Sequence, residues 1–159
     1  YLGKCLMVNA WHAIRKDFNK NPVEKVNGSQ SDEIILSMLN KYGISENAIT
    51  LWGTGSPMRE FLHVDDMADA SVFLLQHYDA SDALPSQVNA GCGEDVSIYD
   101  LAMIVKEVVD YQGSIVWDKT QPDGTPRKLL DVSKLTSLGW TPSIPLEKGI
   151  RRVVENYTK

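Results

Sequence analysis

Residues 49–71, ITLWGTGSPMREFLHVDDMADAS, run from an apolar stretch through a glycine-rich loop to an arginine and then into a segment of helical periodicity. Residues 49–52 read as a short strand, the glycine loop follows, and residues 61–64 read as a second extended piece. Asp65 and Asp66 then start a helix running to about Tyr78. Carboxylates suit that position because the first N–H groups of a helix have no partner within it. Met67, Ala70, Phe73 and Leu74 recur at the spacing of one apolar helical side.

Working outward toward the N-terminus, Leu2, Leu6, Ala10, Trp11, Ile14 and Phe18 predict one amphipathic helix stopped by Asn21-Pro22. Ser31 can cap a second helix, with Ile34, Ile35, Met38 and Leu39 on its apolar side and Gly43 beyond its end. Toward the C-terminus, residues 87–89 read as a strand ending in Gly91-Cys92-Gly93. Ser97 and Asp100 have capping-box spacing ahead of a helix that ends at Gly113, and residues 114–117 read as another strand. Asp131 caps a short helix ending at Gly139, and Ile144-Pro145 leads into a last helix through Leu146, Ile150, Val153 and Val154. This alternation predicts an α/β fold with helices around a small sheet.

The chain has 159 residues, enough for one substantial core, with 43% apolar and 23% charged residues. A net charge of −5 argues against nucleic acid as a partner, because a phosphate backbone is met by a broadly basic face. No apolar run reaches the length of a membrane span. Cys5 and Cys92 show neither metal-ligand spacing nor a disulfide framework, which fits a reducing compartment.

Three places hold residues that packing alone does not need. In the loop from Trp52 to Phe61, Arg59 offers a rigid fork for phosphate oxygens, the glycines allow close approach, and Trp52 can stack on a flat ring; a plain turn with a solvated arginine is the alternative. In Pro122-Asp123-Gly124-Thr125-Pro126-Arg127-Lys128, two cations leave a stiff turn and suit a diphosphate, while Asp123 can accept from sugar hydroxyls; an exposed turn is again the alternative. Phe61-Leu62-His63-Val64-Asp65-Asp66 invites a metal reading, yet no other His or Cys stands at useful spacing and the helix start explains both aspartates. Gly91-Cys92-Gly93 lacks a dinucleotide fingerprint, since Val96 stands where the third glycine is needed, and no Tyr precedes a Lys by four residues.

WGTGSPMREFLHVDDMADAS (52–71), VNAGCGEDVSIYDLA (88–102) and PDGTPRKLLDVSKLTSLGW (122–140) together resemble the GDP-L-fucose synthase family, the GDP-4-keto-6-deoxy-D-mannose 3,5-epimerase/4-reductases of the extended short-chain dehydrogenase/reductase superfamily. The resemblance implies that residues 1–159 are the C-terminal substrate-binding domain, with 1–45 a helical insertion, and that the Rossmann domain is absent. It implies NADPH in the full-length enzyme and none bound to this fragment. By position it implies that Trp52, Arg59, Asp123 and Lys128 contact the GDP-sugar. The catalytic residues are expected upstream of Tyr1, with none in this fragment, so the fragment alone is expected to be inactive. The implied partners are the GDP-sugar and the missing Rossmann domain, in a cytoplasmic homodimer that meets neither nucleic acid nor membrane. A domain of another nucleotide-sugar epimerase or dehydratase, built for UDP or dTDP, and a non-catalytic nucleotide-sugar binding module stay open.

Overall fold

The apolar stripe at the N-terminus builds two helices rather than one, α1 (Leu2–Met7) and α2 (Trp11–Lys20). Between them Asn9 adopts φ 54°, a left-handed conformation that no α-helix carries through and that asparagine tolerates better than most residues. The periodicity persists across the break because both helices feed one core, in which Cys5, Leu6, Ile14 and Phe18 pack with Ile35 and Leu39 of α3 (Asp32–Lys41). Ser31 stands at the N-cap position of α3, but its side chain makes no capping hydrogen bond to the helix backbone. Arg15 ties the connecting loop to α2: its Nη1 donates to the carbonyls of Gly28 (2.6 Å) and Gln30 (2.7 Å), and its Nη2 meets Asp32. These contacts come from a computed structural model that describes residues 1–79 and 87–158.

Strand β1 (Ala48–Trp52) follows, extending one residue earlier than expected. It pairs in parallel with a strand from much later in the chain, Ala48 opposite Ser114 through Trp52 opposite Asp118. With the three helices, this pair belongs to one compact unit, Tyr1–Gly55 and Ala102–Asp123.

The second unit, Ser56–Leu101 and Gly124–Lys159, is built on a three-stranded sheet. Its central strand β2 (Met58–Glu60) runs antiparallel to β3 (Asp95–Ser97), which follows α4 (Val64–His77) in the chain. The strand expected at 61–64 is therefore displaced toward Pro57: Met58 N–H bonds the Pro126 carbonyl at 2.8 Å, so the ladder begins there. Leu62 instead packs on the Ala70, Leu135 and Trp140 core, and His63 caps α4 by accepting from Asp65 N–H at 3.2 Å. The strand expected at 87–89 is also absent; Val88 and Ala90 pack against the same core, and the strand forms after Gly93 instead.

Helix α5 (Ile98–Val108) begins as its capping box predicts, with Asp100 N–H bonding Ser97 Oγ at 2.9 Å, but it stops short of Gly113. The partner of β1 is β4 (Ser114–Asp118), and β5 (Arg127–Lys128) lies parallel to β2 on the side away from β3. Asp131 accepts from Ser133 N–H at the start of α6 (Ser133–Ser137), and α7 (Leu146–Tyr157) closes the chain.

Asp66 does more than begin α4. Its carboxylate is 3% exposed and accepts from Ser143 Oγ (2.8 Å), Ser143 N–H (3.2 Å) and Ile144 N–H (3.0 Å), latching the segment ahead of α7. Burial pushes its pKa up, but those hydrogen bonds, with the charge of nearby His63, outweigh burial and hold it below the usual carboxylate value.

Candidate functional site

The glycine loop starts at the end of β1. Trp52 is 74% exposed, and Gly53 N–H bonds the Asp118 carbonyl at 2.9 Å, continuing the β1–β4 pairing by one step. Gly53 and Gly55 both have φ 78°, where a Cβ is strained. A Cβ on Gly53 would stand 2.3 Å from Asp123 Oδ1, and one on Gly55 would stand 2.7 Å from the Trp117 ring. The close approach that these glycines permit is thus of the chain to itself, which corrects the expectation that they make room for a ligand.

Asp123 is the group packed on that loop. Its Oδ1 accepts from Thr54 N–H at 2.6 Å and its Oδ2 from Thr54 Oγ1 at 2.7 Å. The backbone donor first, and then the hydroxyl, lower its pKa and keep it ionised. Both oxygens accept within the fold and so clasp the loop, while the exposed carboxylate keeps lone pairs open to a ligand.

In the other unit the sheet sorts its charges by face. Side chains alternate along a strand and paired residues share a face. Arg59 pairs with Lys128 on one side and Val96 on the other, so the two cations project from the same face. Arg59 Nη1 donates to the Met58 carbonyl at 2.6 Å, and the position of a Cβ on Gly124 lies 4.0 Å from Arg59 Nη2. Among the described residues, neither Arg59 nor Lys128 has a carboxylate within ion-pair distance. Like charges placed directly opposite each other on a sheet destabilise it. A dianion between them would reverse that sign.

On the reverse face Arg127, Asp95 and Glu60 each have a partner within the fold. Arg127, one residue from Lys128, meets both Asp95 oxygens, Nε at 2.5 Å and Nη2 at 3.2 Å, and this pairing raises its pKa. Glu60 accepts from Gly93 N–H at 2.6 Å and Leu130 N–H at 3.1 Å. The Gly91-Cys92-Gly93 turn therefore aims an N–H at a carboxylate of its own chain rather than at a cofactor phosphate, and Cys92 Sγ donates to the Glu94 carbonyl at 3.2 Å. Sequence reasoning missed Glu60 and Asp95. Their signal lay in strand alternation, which becomes readable once the strand is set at Met58–Glu60.

The four expected residues thus fall into two pairs, Trp52 with Asp123 around Gly53, and Arg59 with Lys128 on one sheet face. A cleft of about 350 Å³ in the second unit, lined by Phe61, Cys92, residues 94–96 and residues 142–146, includes none of them. Among the described residues no group of three or more His, Cys, Asp or Glu could hold a metal ion, and no helix is long and apolar enough to cross a membrane.

Residues 21–91 match the NAD dependent epimerase/dehydratase family. The chain is 55% identical over 111 residues, 70% of its length, to GDP-L-fucose synthase 1 of Arabidopsis thaliana. It is 42% identical over 129 residues, 76% of its length, to GDP-L-fucose synthase of Escherichia coli (strain K12). It spans only 33% and 40% of those relatives. Among solved structures, a GDP-6-OMe-4-keto-L-xylo-heptose reductase from Campylobacter jejuni superimposes with a TM-score of 0.84 and 34% identity, covering 98% of this chain and 44% of that one. A GDP-mannoheptose C4 reductase from the same organism, solved with NADP bound, gives a TM-score of 0.80 at 34% identity, covering 99% of this chain and 44% of that one.

Proposed function

Because the chain belongs to the NAD dependent epimerase/dehydratase family, we propose that it is the GDP-sugar-binding part of a GDP-L-fucose synthase. The observation that carries this reading is the in-register pair of Arg59 and Lys128, two cations on one sheet face with no carboxylate partner among the described residues. Two fixed positive charges at adjacent strand positions suit the two phosphates of a nucleoside diphosphate, and the guanidinium fork can bind one of them bidentately. Trp52, exposed at the end of β1, is suited to stack on a flat ring or sugar face.

In the whole protein, of which this chain is the C-terminal part, a Rossmann domain holds NADPH and carries the acid, base and reductase residues. NADPH supplies the hydride. GDP-4-keto-6-deoxy-D-mannose is epimerised at its third and fifth carbons and then reduced at the fourth, giving GDP-L-fucose. This chain binds and orients the GDP. The whole protein works in the cytoplasm as a homodimer, joined through helices of its other half.

Titration calorimetry on the whole protein tests the reading. GDP should bind, and Arg59→Ala should weaken it by about ten- to a hundredfold, the equivalent of one charged hydrogen bond of roughly 1.5–3 kcal/mol. A clear preference for UDP or dTDP over GDP would defeat it.

A second reading keeps the GDP and changes the sugar. It is favoured by the TM-scores of 0.80 and 0.84 to the two GDP-heptose reductases. Comparing kcat/KM for the 6-deoxy and heptose 4-keto substrates separates the two.

A further inference from the structure

Lys128 rides on a strand of two residues, held to β2 at two paired positions and placed beside another cation. So short a pairing, opposed by like charge, needs support from elsewhere. That support lies on the reverse face of the same sheet. Arg127 faces away from Lys128, reaches over β2, and grips Asp95 of β3 with a two-point fork, so the two outer strands are tied directly to each other. The Asp95 side chain is only 8% exposed, and its charge is met by Arg127. Glu60, projecting from β2 on that face, holds Gly93 N–H with one oxygen and Leu130 N–H with the other. One carboxylate thus pins the residue two before Asp95 and the residue two after Lys128.

We infer that Asp95, Arg127 and Glu60 are positioning residues for the diphosphate site: they clamp the back of the sheet so that Lys128 stays level with Arg59. The inference rests on the reading of Arg59 and Lys128 as that site. It also assigns Arg127, despite its place beside Lys128 in the sequence, to architecture rather than to ligand contact.

The test uses the whole protein, with GDP and guanosine as calorimetric probes and GDP-sugar turnover as the kinetic readout. Asp95→Asn should raise the Kd for GDP and the KM for GDP-sugar about tenfold, as expected for loss of one oriented charge contact, with kcat within about twofold. Guanosine, which has no phosphate, should bind as before. Because Arg127 is largely exposed, Arg127→Met removes the same clamp without emptying a buried site, and it should match Asp95→Asn. Arg127→Lys, which keeps the charge and loses the fork, should fall between Arg127→Met and wild type. The double variant should be no worse than either single, as for two residues acting as one unit.

Unchanged GDP affinity in a folded Arg127→Met protein would overturn the clamp. So would a fall in kcat and melting temperature with KM unmoved, which is what a purely structural role produces. Wild-type binding of GDP together with full binding by Arg59→Ala would instead sink the diphosphate reading itself, whatever Asp95 does.

Discussion

Two charged clusters, one in each unit, meet opposite fates. Asp123 has both oxygens engaged by Thr54, with Gly53 packed against it, whereas Arg59 and Lys128 stand side by side with no carboxylate partner among the described residues. Both clusters look alike as sequence, polar residues in glycine- and proline-rich loops. The difference separates a carboxylate already hydrogen-bonded within its own loop from a pair of like charges whose repulsion a counter-ion would relieve.

The contrast can be broken by mutation. The largest effect is expected from Arg59→Ala with Lys128→Ala: GDP affinity should drop by about a hundredfold or more while melting is unchanged or slightly raised, since a repulsion is removed. Asp66→Asn should do the reverse, lowering stability in urea by about 2–3 kcal/mol, because a buried charged acceptor is taken from three donors, and leaving GDP affinity unaltered. Gly53→Ala should cost about 1–3 kcal/mol for strain at positive φ, and it should also displace Asp123. Asp123→Asn should be mildest, weakening GDP binding by no more than about threefold if the carboxylate only clasps the loop. A hundredfold loss there would return Asp123 to the ligand.

Acid sharpens the same comparison. The folded-state pKa of Asp66 lies below its unfolded value, so its contribution is complete above the ordinary carboxylate range and is lost as pH falls through the lowered value. Urea midpoints of wild type and Asp66→Asn should differ at pH 7 and converge only as pH falls below the ordinary carboxylate range. A gap that stays constant with pH would mean that the latch does not depend on charge.

Much of the fold was legible in the sequence because its signals are local. The Ser97 and Asp100 capping box, the position of Ser31 and the apolar spacing of Leu146 to Val154 each announce a helix where one stands. What was misread depended on partners far along the chain. Residues 61–64 look strand-like, yet the ladder on Pro126 and Lys128 sets β2 three residues earlier, and nothing in the local pattern names that neighbour. Asn9 breaks a stripe that hydrophobic periodicity alone carries through. At the site, Arg59 and Lys128 could be chosen by charge and motif. The roles of Glu60 and Asp95 required the register, because a one-residue shift exchanges the faces of every side chain on the strand.

The most direct measurement is a double-mutant cycle for GDP and guanosine binding to wild type, Arg59→Ala, Lys128→Ala and the double variant. If both cations hold one diphosphate, each single variant should lose about tenfold or more toward GDP and nothing toward guanosine, with a coupling energy of about 0.5 kcal/mol or more between them. Equal losses toward both ligands, or strictly additive losses toward GDP, would contradict a shared diphosphate site.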